Sequence, residues 1–167
     1  MLQDDSPVFL MAAMMMGFCL SMCTIAAPSV SLEGKYLWIL REAPVDESTL
    51  IWIKVGFQLL LTLPCTVIAG VCIAVAVGMP VWQGVVLLLV TALFDVGHAS
   101  FGLLMGLCFP KLDAVNETVV VKQSLAVFLG AFAPMAALAL PIALLAGLTA
   151  ACVVLLAKRG PAMLRAL

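Results

Sequence analysis

The chain has 167 residues, of which 65% are hydrophobic and 10% charged, and its net charge is −1. An ordinary soluble domain carries about 25% charged and about 45–50% apolar residues, so the excess apolar surface here must face lipid or pack between helices that do. The near-balanced charge leaves no electrostatic footprint for nucleic acid, and the few charges inform by their position.

The first apolar stretch, about 7–27, follows Asp4-Asp5 with no Lys or Arg ahead of it. It exceeds the roughly 7–15 residues of a signal-peptide core, so it is expected to be a membrane span. Met14-Met15-Met16 within it is a lipid-facing or packing patch.

Residues 28–54 form the first long loop. At helical spacing Leu32, Tyr36, Ile39, Leu40 and Ala43 share one arc, the signature of an amphipathic helix at a bilayer interface or a bundle end. The opposite arc carries Glu33, Lys35, Arg41 and Glu42, yet also Leu37 and Trp38. Large apolar groups on a face otherwise wet point to a protein partner, against the plainer reading of an interfacial anchor. Pro44 is expected to end this helix. Asp46 is placed to cap the next, with Glu47 in its first turn, and that helix runs through Leu50, Ile51, Trp52 and Ile53 into the second span. Trp52 suits the interface, and Lys54 has the reach to snorkel to headgroups.

Stretches 55–77 and 82–108 each match the ~20 residues that cross about 30 Å of hydrocarbon. The third contains Asp95 and His98, three apart and so on one helix face, a spacing that permits a local hydrogen bond. A structural polar pair is the favoured reading, with proton handling or a substrate contact as alternatives. Gly102 and Gly106 form a GxxxG that admits a close helix. Loop 109–123 opens at Phe109-Pro110 and carries Lys111, Leu112, Asp113, Asn116, Glu117, Lys122 and Gln123. Its alternating charges have no metal-ligand spacing. Asn116-Glu117-Thr118 matches a glycosylation sequon, which a cytoplasmic location would leave unmodified.

The last stretch, 124–157, is too long for one crossing. Basic residues concentrate in cytoplasmic loops, and Lys111, Lys122 and the tail residues Lys158, Arg159 and Arg165 place both flanks on one side. The stretch is therefore expected to be a hairpin of limbs 124–139 and 142–157 turning near Pro141, each too short to cross with ease. Cys19, Cys23, Cys65, Cys72, Cys108 and Cys152 all lie in apolar stretches and are expected to be packing residues, not zinc ligands. The expected architecture is all-α: one domain, 1–167, a polytopic membrane helix bundle of about five spans, with an amphipathic cytoplasmic elbow helix, an outside N-terminus and an inside C-terminus.

The segment SLEGKYLWILREAPVDESTLIWIK resembles the pattern of bacterial ABC exporter permeases of the type-2 class, with its Glu-Gly-Lys, Trp-Ile pair, Pro-Val step and Lys where the next span begins. FPKLDAVNETVVVKQS is similar to that family's second cytoplasmic loop, and LAKRGPAMLRAL to its C-terminal end; together these cover most of residues 28–167. The resemblance implies a permease in a multi-pass bacterial plasma membrane, whose elbow docks on a separate ATP-hydrolysing subunit. Glu33, Gly34, Lys35, Leu37, Trp38, Ile39 and Arg41 would then face or form the coupling helix, with Pro44 and Lys54 shaping its exit. Loop 109–123, from Pro110 to Gln123, is either a solvated turn with local ion pairs or a second contact with the ATPase. The chain is shorter than a whole permease of that kind, which implies further permease spans or a second copy. Arg-Glu-Ala before Pro44 departs from the family pattern.

No phosphate loop GxxxxGK[ST] occurs, so no cofactor is expected to bind directly and ATP is expected to act through the partner. His98 is the only histidine and no Ser/His/Asp order with nucleophile context occurs, which argues against a conventional membrane hydrolase; with no nucleotide-binding motif either, the chain by itself is not expected to be an enzyme. The alternatives are a small proton-coupled carrier using Asp95 and His98, and a noncatalytic membrane assembly subunit.

Overall fold

A computed structural model describes residues 6–34, 42, 45–110, 125–137 and 142–166. Those residues are helical in six segments: α1 (Ser6–Met22), α2 (Ala26–Glu33), α3 (Glu47–Val77), α4 (Val81–Cys108), α5 (Leu125–Ala137) and α6 (Ile142–Ala166). No strand occurs among them. Four stretches are long and apolar enough to cross a membrane: Pro7–Glu33, Glu47–Val77, Val81–Cys108 and Ala146–Arg165, and α5 supplies a shorter apolar helix. The chain is a multi-pass helical membrane protein.

The third span is the axis of the bundle, since α1, α2, α3, α5 and α6 all pack against α4. Lipid tails are as apolar as leucine, so such packing depends on close fit more than on water exclusion. Small residues supply the fit. A Cβ on Gly106 would lie 3.2 Å from the Ala27 carbonyl carbon and closer still to its oxygen, while a Cβ on Gly102 would make ordinary contact with Ala27 at 3.7 Å. The GxxxG of α4 is thus the seat of α2. Farther along, Gly97 lies against the Thr149 side chain of α6.

The two ends of the bundle differ in character. At one end α3 closes on Gly78, whose φ of 70° is the left-handed conformation glycine adopts without strain. Met79 N–H donates to the Ala74 carbonyl and Gly78 N–H to Val75, a Schellman closure that satisfies the last carbonyls of the helix. Ala12 and Met16 of α1 pack with Leu87 beside this turn, so the N-terminal half of α1 belongs to the turn end. At the opposite end Ala26, Val30, Ile51, Val55, Leu103, Leu107, Leu156 and Leu164 form one apolar cluster. Above it sit two ion pairs, Glu33 with Lys54 and Glu47 with Arg165. This charged end gathers the end of α2, the start of α3, the end of α4 and the end of α6.

Several expectations are corrected by this arrangement. The first span does not run unbroken over 7–27: it stops at Met22 and resumes at Ala26. Pro28 explains the interruption, because a helix passing through it would lose a hydrogen bond and clash with the carbonyl four residues back; in the first turn of a new helix its missing N–H costs nothing. Residues 28–33, expected in a surface elbow, lie in α2, where Pro28, Val30 and Ser31 are buried. That helix ends at Glu33, where Gly34 takes a φ of 38°; Tyr36, Ile39, Leu40 and Ala43 of the expected arc lie outside the described residues. Lys54 pairs with Glu33. Asp46 occupies the N-cap position of α3 without a side-chain capping bond. Cys19, Cys23, Cys65, Cys72 and Cys108 are exposed instead of packed in the core, the first three along an open groove between α1 and α3. Of the Met patch, Met16 is buried and Met14 and Met15 are exposed.

The last stretch contains two helices, as expected, but α6 continues through the supposed tail to Ala166. Thr149 lies seven residues into α6 and Gly97 sixteen into α4, so at about 1.5 Å per residue α6 starts roughly 14 Å deeper in the bundle than α4 does. With α5 only 13 residues long, this pair of helices starts from the charged end and stops short of the turn end.

Candidate functional site

The break between α1 and α2 leaves backbone groups that a membrane interior does not hydrate, and each must find a partner within the protein. Cys23 N–H donates to the Leu20 carbonyl at 2.9 Å. Ser21 Oγ donates to the Phe18 carbonyl at 2.8 Å and Thr24 Oγ1 to the Ser21 carbonyl at 3.0 Å. At the start of α2, Ala26 N–H donates to Oε1 of Gln58 on α3 at 2.8 Å. A glutamine side chain from the neighbouring span therefore caps the helix.

This bond fixes the orientation of the Gln58 amide, and the rest of the network follows. With Oε1 accepting, Nε2 donates to His98 Nδ1 on α4 at 3.1 Å. Nδ1 must then be the unprotonated ring nitrogen, leaving the proton on Nε2, which faces Thr24 Oγ1 at 3.3 Å. Thr24's own proton is already committed to Ser21, so its oxygen is free to accept. His98, 1% exposed, stacks on Phe94 with ring centroids 6.1 Å apart. Three spans are thus joined by one neutral imidazole in a single tautomer.

Asp95 is 0% exposed and does not bond His98. Thr62 Oγ1 on α3 donates to its Oδ2 at 2.6 Å, and Oδ1 has no partner among the described residues. The local Asp95 to His98 bond permitted by their spacing is replaced by bonds to another helix, because Gln58 and Thr62, one turn apart on α3, each face one of the pair. An ionised Asp at a bilayer centre costs about 2.5–3.5 kcal/mol on insertion scales, and one threonine hydroxyl offsets only part of that.

No protein-family model matches the chain, and no match occurs among curated proteins or solved structures.

Two cavities flank the network. One, of about 180 Å³, lies between α4, α5 and α6 and is lined by Phe94, Gly97, His98, Phe101, Pro134 and Thr149 among others. The second, of about 320 Å³, lies between α1 and α3, with Met15, Met16, Cys19, Cys23, Cys65 and Thr62 in its wall. Among the described residues no cluster of His, Cys, Asp and Glu could hold a metal ion.

Of the residues singled out for coupling, Glu33, Gly34 and Lys54 meet at the charged end. Lys35, Leu37, Trp38, Ile39, Arg41 and Pro44 lie outside the described residues, as do Lys111, Leu112, Asp113, Asn116, Glu117, Lys122 and Gln123; Pro110 is described, just beyond α4. Sequence reasoning missed Gln58, Thr62 and Thr24. A signal existed: Gln58, Thr62 and Thr66 recur every four residues along an otherwise apolar span, and all three are buried.

Proposed function

We propose that this chain is part of the transmembrane permease of an ATP-driven ABC exporter in a bacterial plasma membrane, coupled to a separate ATPase subunit through the segment between Glu33 and Lys54. The observation that carries the proposal is the ion pair joining those two residues: the segment leaves and rejoins the bundle at one point, as a docking elbow must if a push on it is to reach the spans. The second loop begins at the same end, beyond Pro110, and the C-terminal helix is tied there by Arg165 to Glu47 at 2.7 and 3.0 Å. The segments that resemble the family's cytoplasmic pattern thus adjoin one end of the bundle. Discontinuous helices with polar groups near mid-membrane, such as the α1 to α2 break, are a recurrent way of building transport pathways.

The test is co-purification with an ATPase encoded beside this chain. Trp38→Ala is expected to weaken capture about thirtyfold, the consequence of removing an aromatic anchor worth ~2 kcal/mol, without impairing membrane insertion. Undiminished capture would reduce the elbow to an interfacial anchor. The rival reading, a proton-coupled carrier with an Asp95 to His98 relay, has weaker support because the two side chains are bonded to different partners.

A further inference from the structure

Thr62 Oγ1 has two oxygen neighbours at hydrogen-bond distance: the Gln58 carbonyl, one turn back on α3, at 2.9 Å, and Asp95 Oδ2 on α4 at 2.6 Å. Both separations fall within the roughly 2.5–3.0 Å of an O–H···O bond, and each needs a hydrogen between its oxygens. A threonine hydroxyl has one hydrogen to give, and a backbone carbonyl has none. With Asp95 ionised, Thr62 turns its hydrogen to the carboxylate, and the contact with Gln58 sets lone pair against lone pair. With a proton on Asp95 Oδ2, that proton goes to Thr62 Oγ1, the Thr62 hydrogen goes to Gln58, and both contacts are bonded.

The surroundings of the carboxyl favour the same state. Asp95 lies near the middle of the 28 residues of α4 and is 0% exposed. No Lys or Arg occurs in any of the apolar stretches, where the other titratable side chains are His98 and cysteine thiols. His98 is neutral, its Nδ1 accepting from Gln58. A carboxylate here would have no counter-ion, and its Oδ1 has no partner among the described residues. As the carbonyl oxygen of an acid, Oδ1 carries far less charge, and leaving it unmet costs less.

We infer that Asp95 and Thr62 form a proton-binding site in the membrane interior, in which Asp95 is a carboxylic acid donating from Oδ2 to Thr62 Oγ1 and Thr62 donates in turn to the Gln58 carbonyl. The bond between the two side chains runs from acid to hydroxyl, the reverse of its direction towards a carboxylate. Together with neutral His98 it leaves the whole polar network uncharged, and α3 is joined to α4 through a proton taken up from outside the chain. Proton binding here does not depend on the exporter reading, and no ATPase enters its test.

The purified chain in dodecyl maltoside, which has no ester carbonyl, is measured at neutral pH by infrared spectroscopy. A protonated carboxyl group absorbs as a carbonyl stretch above the amide I band, a region clear of ionised carboxylates. The native chain is expected to show a band there that moves to lower frequency when its aspartates carry heavy-isotope carboxyl carbons. Asp95→Asn, which keeps an N–H donor for Thr62, is expected to lose the band. In Thr62→Val the band is expected to persist and move to higher frequency, because the acid has lost its acceptor. Absence of the band from the native chain, its survival in Asp95→Asn, or an unmoved frequency in Thr62→Val overturns the inference. Should either variant not fold, the isotope shift in the native chain decides between a bound proton and an ionised carboxylate, since every other aspartate lies outside the apolar stretches.

Discussion

Two glycines one turn apart on α4 should respond in opposite ways to the same added methyl group. At Gly106 the methyl would fall within 3.2 Å of the Ala27 carbonyl carbon, with the oxygen nearer still. That neighbour is backbone, held in α2 by its own helical bonds and by Gln58, and it cannot rotate away. Gly106→Ala therefore requires α2 to retreat from α4 by about 1 Å, and overpacking of this kind typically costs about 1–3 kcal/mol. Against it stands the better helix propensity of alanine, about 1 kcal/mol. The net loss of up to about 2 kcal/mol is as much as thirtyfold in the folded to unfolded ratio. At Gly102 the nearest atoms would be 3.7 Å away, so Gly102→Ala gains propensity without strain and is expected to be neutral or stabilising. Both variants can be unfolded reversibly in mixed detergent micelles with increasing dodecyl sulfate, followed by far-UV circular dichroism. Equal stability of the two variants would refute the claim that α2 is seated on Gly106.

Gln58→Leu removes the partner of the Ala26 N–H and of His98 together; leaving a buried donor unmet costs about 1–3 kcal/mol, and the same unfolding assay should register that loss, whereas an unchanged midpoint would mean that the helix break does not need its cap. Met79→Cys in the short turn and Ala162→Cys near the end of α6, each in a background without native cysteines, should label from opposite faces of the membrane with an impermeant maleimide. Labelling from one face would contradict the placement of the two ends.

How far the sequence discloses this molecule depends on which physical rule governs each part. Span positions follow from apolar length alone, and α4 was expected over 82–108 and found over Val81–Cys108. The α3 helix was expected to run from its cap at Asp46 through Trp52 into the membrane, and does so from Glu47. The break after Met22 is hidden because Cys23, Thr24 and Ile25 are not helix breakers and the stretch stays apolar up to Pro28. Asp95 and His98 stood out as polar residues in lipid, yet their partners did not. Spacing on one helix cannot show that Gln58 and Thr62 reach across from another, because that depends on the rotation of α3 about its own axis. The charged end was legible as basic clusters, but the pairing of Glu33 with Lys54 depends on α2 folding back into the bundle, which the amphipathic reading of 28–54 did not foresee.

The joining of Glu33 to Lys54 has a consequence for how the chain tolerates change. Because the two boundaries are held together by contacts of their own, the bundle does not sense the contour length of what lies between Gly34 and Asp46. Lengthening a loop whose ends are already fixed costs only a slowly growing entropy, about 0.6 kcal/mol for each doubling. Residues added between Gly34 and Asp46 are therefore expected to leave the helices and the polar network behind them in register.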